Sequence, residues 1–588
     1  MDETAGSPTP DPIYVLRHSA AHILGAAVLE LYPDARYADG PPVEDPPGFY
    51  YDFELSHRIT EDDLPAIEAR MLKIIAANPG FEQQVIPRAD AIRLFAERNQ
   101  KFKVDILEND ITADEVSVYR TGEFLDLCRG PHLDSAIQIG AVKLLKLGGA
   151  YWRKDEKNAQ LQRVYGTAWP TTTELEQYLS DLAEAEKRDH KRLGRDLKLF
   201  ALDDRAGLGN VIWLPNGATV RREIERWVVD EELARGYQHV VTPHLAKLDL
   251  YRQSGHYPLY EDSMFPPMHL ESGEELELRP MNCPHHIMVY QQDLRSYRDL
   301  PLRIAEVGQN YRYEKSGELM GMIRVRSFAL NDAHIFCTAA SLQDEIVAAV
   351  ELAQYFMRTL GVKMNRYRLS IRDEVKAKWV GSDEQWSHAQ NALIAALDQV
   401  GEPYDVGTGE AAFYGPKIDF QIRDLQRREF TNSTVQVDFQ LPERFDLEYV
   451  AEDGTRQRPI MIHRGAVGAM ERIIAYLIEL YGGAFPTWLA PVQVVLVPVT
   501  DAQLEYARGV AATLRSLRLR VEVDERSERM GRKVRDAEVR KVPYIAVIGG
   551  REMEGGTVAV RGRGAEQTVE SVDDFAARVG REVATRAT

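Results

Sequence analysis

The chain is poor in cysteine and contains no long apolar run. Its 588 residues include only three cysteines, Cys128, Cys283 and Cys337. So few cysteines exclude a disulfide scaffold and make a reducing cytoplasm the expected compartment. No stretch of about 18 apolar residues occurs, and the acidic N-terminus lacks the basic start of a signal peptide. We therefore expect neither a membrane protein nor a secreted protein.

The chain also lacks an excess of positive charge, since its formal net charge is −19. Net charge governs solubility and long-range steering, whereas binding to nucleic acid depends on local basic patches. The acidic balance therefore does not exclude an RNA partner. A content of 44% hydrophobic and 28% charged residues is that of a globular protein. The length exceeds that of a single core and predicts about three or four domains of roughly 100–200 residues.

Composition and periodicity divide the chain into five segments. Residues 1–12 are rich in Ser, Thr, Pro and Asp and are predicted to be a disordered tail. A mixed helical and β region, 13–170, precedes a charged helical linker, 171–198, and a large β-rich block, 199–486. The last segment, 487–588, shows the strand–helix alternation of a small α/β domain. Its predicted elements are strands at 492–499, 521–524 and 542–548 and a helix at 503–517.

The first cysteine belongs to one of two groups of Cys and His residues. His18 and His22 are four residues apart in a helical stretch, so both imidazoles lie on one face. Cys128 and His132, also four apart, flank a Gly-Pro turn. Three imidazoles and a thiol make either a zinc site or a polar pocket that positions water, unless the two pairs are unrelated. Two charged residues complete this candidate site: Asp126, which could orient a ligand, and Lys103, either an extra cation or a surface lysine.

The second group contains Cys283, His334 and His463, whose wide spacing alone does not indicate a site. The motifs around these residues do. In chain order they are Arg312-Tyr313-Glu314, Arg324-Val325-Arg326, Asp332-Ala333-His334, Phe413–Lys417, Val435–Phe439 and Gly465–Arg472.

Taken together, these motifs resemble the threonyl-tRNA synthetase family of class II aminoacyl-tRNA synthetases. The resemblance runs from about residue 13 to the C-terminus and implies an α+β multidomain protein. In it, 13–170 would be an α+β editing domain, 199–486 a class II catalytic domain with an antiparallel sheet, and 487–588 an α/β anticodon-binding domain. The ubiquitin-like N-terminal domain of many bacterial members is expected to be missing.

The resemblance implies an ATP site built from arginines. Its four residues would be Arg312 at the α-phosphate, Glu314 at the adenine amino group, Arg324 at the γ-phosphate and Arg472 from the third motif. Planar guanidinium groups neutralise phosphate oxygens bidentately, which a lysine cannot do. Lys417 would stabilise charge near the reacting carboxylate or phosphate. ATP brings Mg²⁺, which Asp419 and Asp438 could hold, although a structural role fits these carboxylates equally well.

By the same resemblance, Cys283, His334 and His463 match the ligands of one zinc ion per subunit. One thiolate and two imidazoles leave coordination positions open for the amino and hydroxyl groups of threonine. Valine lacks the hydroxyl and would be rejected, which an apolar pocket alone achieves poorly. Four residues complete the implied site: Asp332 at the threonine hydroxyl, Tyr414 near the amino group, and His256 with Gln436 for transfer to the tRNA ribose.

A zinc ion that binds an amino and a hydroxyl group accepts serine as well as threonine. A second, hydrolytic pocket is then needed to remove serine from mischarged tRNA. The six residues that match the family's editing site are His18, His22, Lys103, Asp126, Cys128 and His132. We expect this pocket to position water without a metal ion.

The resemblance also implies threonine tRNA and a second subunit as partners. Glu552 and Arg561 match positions that read the anticodon, and the segment around Pro243 resembles the motif that forms the family's homodimer. Residues 526–541 hold seven basic and three acidic side chains and could contact phosphates, although such a run is more often a solvated helix face. The third cysteine, Cys337, lies in an apolar run and is expected to be buried in the core.

Several positions depart from the family pattern: Leu330 where glutamine is common, Ser327 for glycine, Thr431 for glutamine, His285 for glycine and Ser527 for asparagine. Most of them lie beside the expected substrate. Three other hypotheses follow. The first is an inhibitor-resistant duplicate of the enzyme, the second a regulatory RNA-binding protein without aminoacylation, and the third a free-standing hydrolase of mischarged tRNA. The intact zinc ligands and phosphate arginines argue against the regulatory protein, and the full-length catalytic block argues against the hydrolase.

Overall fold

The structure is a computed structural model that describes residues 11–43, 46–155, 157–374 and 379–587. Residues 1–10 of the predicted tail lie outside the described residues. The remaining two start a helix, Pro12–Leu31, because the Asp11 carboxylate accepts a hydrogen bond from the Ile13 amide at 2.9 Å. A carboxylate cap followed by proline favours this start. By internal contacts, the chain divides into two compact units, Met1–Glu184 with Leu425–Arg428 and Ala185–Asp424 with Glu429–Thr588.

The first unit packs helices against two antiparallel sheets. The helix Pro12–Leu31 is buried through most of its length because its alanines and leucines face a sheet and the next helix. This confirms the helix predicted around His18 and His22, and the strand Gly48–Glu54 shares its hydrophobic core. The other helices are Leu64–Ala77, Arg88–Glu97 and Lys101–Asn109. One sheet contains Arg36–Tyr37, Pro42–Val43, Gly48–Glu54, Gln160–Trp169 and Ala141–Tyr151, and the other contains Glu82–Pro87, Glu115–Thr121 and Phe124–Leu127.

The second unit is built on an eight-stranded sheet, antiparallel except where each edge strand pairs with its neighbour. Its strands, in spatial order, are Gln238–His239, Leu302–Tyr311, Ser327–Cys337, Ile460–Ala469, Glu429–Asp438, Lys417–Arg423, Met364–Ile371 and Tyr404–Thr408. Helices Leu342–Thr359, Asp383–Val400 and Met470–Tyr481 share the main hydrophobic core with this sheet. Cys337 is fully buried in that core, as the sequence predicts.

Further elements of the second unit accompany this sheet. The helices are His190–Asp196, Pro215–Ala234, Leu248–Ser254, His256–Leu259, Cys283–Tyr290 and Gln440–Arg444. The helix Thr172–Lys187 belongs to the first unit up to Glu184. The small sheets pair Phe200–Ala201 with Ile212–Trp213, Glu275–Leu278 with Leu245–Lys247 and Met268–His269, and Tyr449–Val450 with Arg295–Ser296 and Arg456–Gln457. Among the described residues, no helix is both long enough and apolar enough to cross a membrane.

The C-terminal part forms a five-stranded sheet in which the first three strands of the spatial order run parallel and the last two pair antiparallel. Its strands, in spatial order, are Val521–Val523, Val494–Pro498, Tyr544–Ile548, Thr557–Gly562 and Thr568–Ser571. Its helices are Leu504–Ser516, Met530–Val539, Gly550–Gly555 and Val572–Thr585. The strands and the helix predicted here are confirmed to within two residues at each end, because buried β-branched runs alternate with an amphipathic helix.

Candidate functional site

The first Cys/His group comes together in the first unit. Ligand atoms of His18, His22, Cys128 and His132 all lie within 4.8 Å of one another. The helix Pro12–Leu31 supplies the first two, and the loop after Phe124–Leu127 supplies the others. Cys128 Sγ lies 3.3 Å from Nε2 of both His18 and His132. The thiol therefore stands between two imidazoles.

The hydrogen bonds of these imidazoles fix their tautomers. His18 Nδ1 lies 3.2 Å from the Pro131 carbonyl, which only accepts, so Nδ1 carries the hydrogen. The Ser19 hydroxyl donates to the Val15 carbonyl, so His132 Nδ1, 3.2 Å away, must donate to Ser19 Oγ. Both Nε2 lone pairs therefore face Cys128. One thiol hydrogen can satisfy only one of them, which leaves an imidazole lone pair available to accept a proton.

Asp126 joins the two remaining predicted residues to this group. Its carboxylate lies 2.7 Å from Lys103 Nζ, 3.5 Å from His22 Nε2 and 2.5 Å from the Tyr51 hydroxyl, which donates to it. Lys103 is buried, so it is not the surface lysine that the sequence left open. The structure therefore brings all six predicted residues of the first site together.

Burial controls the protonation of the first site. It raises the pKa of the Cys128 thiol to about 12, an effect that the charge of Asp126 reinforces. Burial also lowers the pKa of His18, His22 and His132, so these imidazoles are neutral at physiological pH. A neutral thiol and neutral imidazoles beside a buried ion pair can orient water and exchange protons with it.

The second group forms on the large sheet. His334 and His463 are directly paired in register on neighbouring strands, with ring centroids 4.7 Å apart. Cys283 starts the helix Cys283–Tyr290. One ligand atom from each of the three residues lies within 4.8 Å of the others, and all three residues are buried. Sheet register and one helix N-terminus thus unite residues that are far apart in sequence.

Outer partners orient both histidines of this group. His463 Nε2 lies 2.8 Å from the Asp438 carboxylate, so it donates there and Nδ1 is left with a lone pair. His334 Nδ1 lies 2.7 Å from His286 Nδ1, and His286 Nε2 lies 3.4 Å from Glu306. Because Glu306 accepts from His286, His286 in turn accepts from His334. Nε2 of His334 then keeps its lone pair.

These observations test whether a metal ion fits. His334 Nε2 is buried and has no hydrogen-bond partner among the described residues. Burial raises the pKa of the Cys283 thiol well above its usual value, which a coordinated cation would reverse. One sulfur and two nitrogen donors, each histidine held by a further hydrogen bond, are typical of a zinc site with open positions. The second group is therefore a candidate metal site.

The two carboxylates that could hold Mg²⁺, Asp419 and Asp438, both have protein partners. Asp438 bonds His463 and also accepts from the amides of Gln440 and Leu441, at 2.6 and 3.0 Å. Asp419 is paired with Lys417 at 2.8 Å. Both carboxylates are buried, so of the two readings that the sequence left open, the structural role fits them.

A cavity of about 280 Å³ adjoins the second group and is lined by all of its residues. Arg312, Glu314, Arg324 and Arg472 also line it, as do Leu330 and Thr431. Burial and the charges of Arg312 and Arg324 lower the pKa of Arg472. Arg324 pairs with Glu314 at 2.7 Å and with Glu318 at 3.0 Å. Three guanidinium groups that repel one another across a cavity form a site for a polyanion.

The structure also brings together most of the residues assigned to threonine and transfer. Asp332 and Gln436 line the cavity, and the Tyr414 hydroxyl donates to Gln436 Oε1 at 2.7 Å. Asn282 donates to Asp332 Oδ2 at 3.0 Å. Lys417 is in register with Gln436, but it does not line the cavity because Asp419 holds its ammonium group.

His256 lies next to Cys283 of the second group, but it is not among the residues that line the cavity. It is fully buried, and its Nε2 is 4.0 Å from Cys283 Sγ. The Ser254 hydroxyl donates to the Tyr251 carbonyl, so His256 Nδ1 donates to Ser254 at 2.7 Å. Burial lowers the pKa of His256 to about 3, with a contribution from His463. His256 is therefore neutral and has a lone pair on Nε2.

Sequence reasoning missed the residues that orient the site: Ser19, Tyr51, Asn282, His286 and Glu306. Ser19 lies between two predicted histidines, and Asn282 and His286 flank Cys283, so adjacency was an available signal. Glu306 had none, since it reaches His286 only through the sheet.

The residues assigned to the anticodon make internal contacts at the C-terminal sheet. Glu552 accepts from the Gly549 amide at 2.8 Å, and Arg561 lies 3.2 Å from Glu538. Within the basic run 526–541, Lys533 is buried, whereas Arg529 and Arg535 are exposed. Only part of the run is therefore presented to solvent.

Comparison with known proteins identifies the family. Three protein-family models match: the tRNA synthetase class II core domain (G, H, P, S and T) at 268–481, the anticodon binding domain at 493–581, and the threonyl and alanyl tRNA synthetase second additional domain at 116–165. These matches confirm the predicted α+β multidomain class. The bounds of the domains stay a prediction.

Two curated relatives and one solved structure are similar over much of the chain. Threonine–tRNA ligase of Geobacillus kaustophilus (strain HTA426) is 47% identical over 582 residues, which are 98% of this chain and 89% of the relative. Threonine–tRNA ligase 1 of Bacillus subtilis (strain 168) is 49% identical, over 96% and 88%. The crystal structure of the RNA binding domain of threonyl-tRNA synthetase from Cryptosporidium parvum Iowa II matches with a TM-score of 0.64 and 35% identity, over 67% of this chain and 98% of that chain. The chain belongs to the threonyl-tRNA synthetase family, the threonine–tRNA ligases of class II.

Proposed function

We propose that the protein activates threonine with ATP, transfers it to threonine tRNA and hydrolyses mischarged seryl-tRNA at the first site. The observation that carries this proposal is the pairing of a candidate metal group with an arginine-lined cavity. A separate Cys/His pocket in the first unit supports the hydrolytic step.

The arginines would bind and orient ATP. Arg312 faces the cavity with its guanidinium carbon 5.2 Å from the centre of the Phe328 ring, and we assign it to the α-phosphate. Arg324 would exchange its carboxylate partners for the γ-phosphate, which leaves Glu314 able to accept from the adenine amino group. Arg472 would add a third guanidinium. Neutralising charge on several oxygens is the main requirement of nucleotidyl transfer. Mg²⁺ would enter with ATP.

Cys283, His334 and His463 would hold zinc, the ion that a thiolate and two imidazoles with open positions suit best. When bound, the ion supplies coordination positions for the amino and hydroxyl groups of threonine. Asp332 has one oxygen committed to Asn282, so its other oxygen is available to a substrate hydroxyl. Tyr414 stacks on His463 with ring centroids 4.9 Å apart and would lie beside the amino group.

Transfer to the tRNA ribose is assigned to His256 and Gln436. Gln436 is held by Tyr414 at the cavity wall, whereas His256 would act from its buried position beside Cys283. Lys417 would support the position of Gln436, its partner on the adjacent strand.

In the first site, the imidazole that the thiol leaves unpaired would accept a proton from water. Lys103 and Asp126 would bind the amino group or hydroxyl of the seryl ester, since both are buried and oppositely charged. We propose that this chemistry proceeds without metal.

The remaining proposals concern partners and compartment. Glu552, Arg561 and the exposed arginines of 526–541 would contact the anticodon arm.

Val241, two residues before Pro243, is 95% exposed, and Leu245, Met268 and Leu270 are exposed apolar side chains. Such a surface is stabilised by burial against a second copy, which supports a homodimer. Three cysteines without disulfides suit a cytoplasmic protein.

Pyrophosphate exchange with different amino acids tests the proposed function. We expect ATP–pyrophosphate exchange with threonine and serine, and a rate with valine at least about ten-thousandfold lower, because a site built for a hydroxyl rejects the analogue without one. No exchange with threonine would refute the proposal. Exchange with valine comparable to that with serine would refute selection by the metal.

Asp438→Asn should weaken zinc binding about 10- to 100-fold, because loss of a partner that orients a ligand typically costs that much. The asparagine NH₂ facing His463 Nε2 favours the tautomer with hydrogen on Nδ1, which cannot ligate. Competition with a chromophoric chelator measures the affinity. Asp419→Asn is the matched control, since it removes a buried charge on the adjacent strand that touches neither histidine. Equal affinity in the two variants would contradict the assignment.

A further inference from the structure

His190 lies outside the cavity, yet its buried imidazole joins two elements that build the cavity. It starts the helix His190–Asp196 and is 2% exposed. Its Nδ1 lies 2.6 Å from Oε1 of Glu479, on the helix Met470–Tyr481. Its Nε2 lies 3.1 Å from the Met322 amide nitrogen, in the segment between Tyr311 and Ser327. Both ring nitrogens are therefore occupied.

The two partners determine the tautomer of His190. The Met322 amide can only donate, so Nε2 must carry the lone pair. Nδ1 then carries the hydrogen and donates to the Glu479 carboxylate. A second hydrogen on the ring, or a side chain without an acceptor at that place, would leave the buried amide unpaired. Neighbouring Gly321 has a φ of +54°, and a Cβ there would collide with Nε2, so the backbone and ring approach as closely as glycine permits.

Met322 belongs to a turn that carries one ATP residue and contacts another. The Met320 amide donates to the Arg324 carbonyl at 3.1 Å, which closes the turn. Arg472 Nε donates to the Ile323 carbonyl at 3.2 Å. Arg472 and Glu479 are separated by two helical turns, so they lie on one side of their helix. His190 thus bridges the helix of Arg472 and the turn of Arg324.

A metal site is the alternative reading of this place, since Asp189, His190 and Glu479 have ligand atoms within 4.8 Å of one another. The Asp189 carboxylate already accepts from the amides of Lys191 and Arg192, at 2.8 and 3.1 Å. His190 has no lone pair left for a metal, because its only one faces Met322. Hydrogen bonding therefore explains this cluster fully.

We propose that His190 is a positioning residue for ATP, holding the turn 320–324 so that Arg324 and Arg472 face the phosphates together. The inference rests on the proposed function, since it takes the cavity to be the ATP site. Arg324 must release Glu314 and Glu318 to bind phosphate. The His190–Met322 hydrogen bond involves none of the ATP residues, so it holds the turn while Arg324 changes partners.

Two substitutions of His190 separate positioning from general stability. In His190→Asn, the amide reaches only the place of Nδ1, so it can donate to Glu479 but leaves the Met322 amide unpaired. In His190→Gln, an oxygen reaches the place of Nε2 and can accept from Met322. We expect His190→Asn to raise KM for ATP at least about tenfold, because a buried unpaired amide is costly. KM for threonine should stay within about twofold, and His190→Gln should recover the ATP value to within about threefold.

The first readout is the kinetics of ATP–pyrophosphate exchange, which give both KM values. The second is amide hydrogen exchange, measured by mass spectrometry on the peptide that contains residues 320–324. The amides of this peptide should exchange faster in His190→Asn than in the unmodified protein or in His190→Gln. An unchanged KM for ATP, equal rises for ATP and threonine, or equal defects in both variants would overturn the inference. If His190→Asn does not fold, Gly321→Ala replaces it, since the added Cβ displaces the ring, and it must raise KM for ATP likewise. If the unmodified protein shows no threonine-dependent ATP–pyrophosphate exchange, that result counts against the proposed function. Amide hydrogen exchange would still report whether His190 holds the Met322 amide.

Discussion

Cys283→Ala should abolish zinc binding and lower threonine-dependent ATP–pyrophosphate exchange at least about a thousandfold. The substitution leaves two protein ligands, both imidazoles, which hold zinc weakly in a buried site. A bound metal contributes several kcal/mol to such a reaction, and about 1.36 kcal/mol corresponds to a factor of ten. Zinc analysis by mass spectrometry and exchange rates at saturating ATP measure the two effects.

Cys337→Ala is the matched control for this prediction. Cys337 is a buried cysteine on the same strand as His334, but it packs in the hydrophobic core. We expect it to lower the thermal midpoint while zinc content and exchange rate stay unchanged. The unmodified protein should contain about one zinc per chain, since the first site is proposed to act without metal. A second zinc, lost on Cys128→Ala, would contradict that part of the proposal, and full exchange activity in Cys283→Ala would contradict the metal site.

His132→Ala should reduce the deacylation of seryl-tRNA about a hundredfold or more, a typical loss when a proton-transfer group is removed. His132 is the central ring of the first site, with centroids 4.1 Å from His18 and 4.0 Å from His22. Its removal also frees the Cys128 thiol from one of its two imidazoles. Deacylation of purified seryl-tRNA measures the loss, and threonine-dependent exchange should be unaffected because the arginine-lined cavity contains none of these residues.

His57→Ala controls for the loss of a histidine from the same unit. His57 stacks on Tyr32 and pairs with Asp63 at 3.5 Å, with its side chain 53% exposed. Neither deacylation nor exchange should change. Retention of deacylation by His132→Ala would refute the assignment of the first site, and a parallel loss of exchange would show that the two activities are not separate.

Much of the fold followed from local pattern. The helix around His18 and His22 and the alternation of strand and helix after residue 487 are visible because hydrophobic periodicity is a property of neighbouring residues. The ordered motifs around Arg312, Asp332 and Arg472 indicated the family and, through it, the domain types. The start of the first helix at Pro12 was missed, because a tail composition of Ser, Thr, Pro and Asp is also the composition of helix caps.

The sequence by itself therefore determined the residue types available for chemistry: three cysteines, the histidines around them and the arginines of the motifs. Only the tertiary structure decided which of them can act together. Strand register placed His334 opposite His463 and the Asp438 carboxylate within hydrogen-bond distance of His463. Burial turned Lys103 from a candidate surface lysine into half of a buried pair, and it placed His190 against the Met322 amide. The reason is physical: the protonation state and direction of a side chain depend on neighbours that are distant in sequence, and folding alone brings them together.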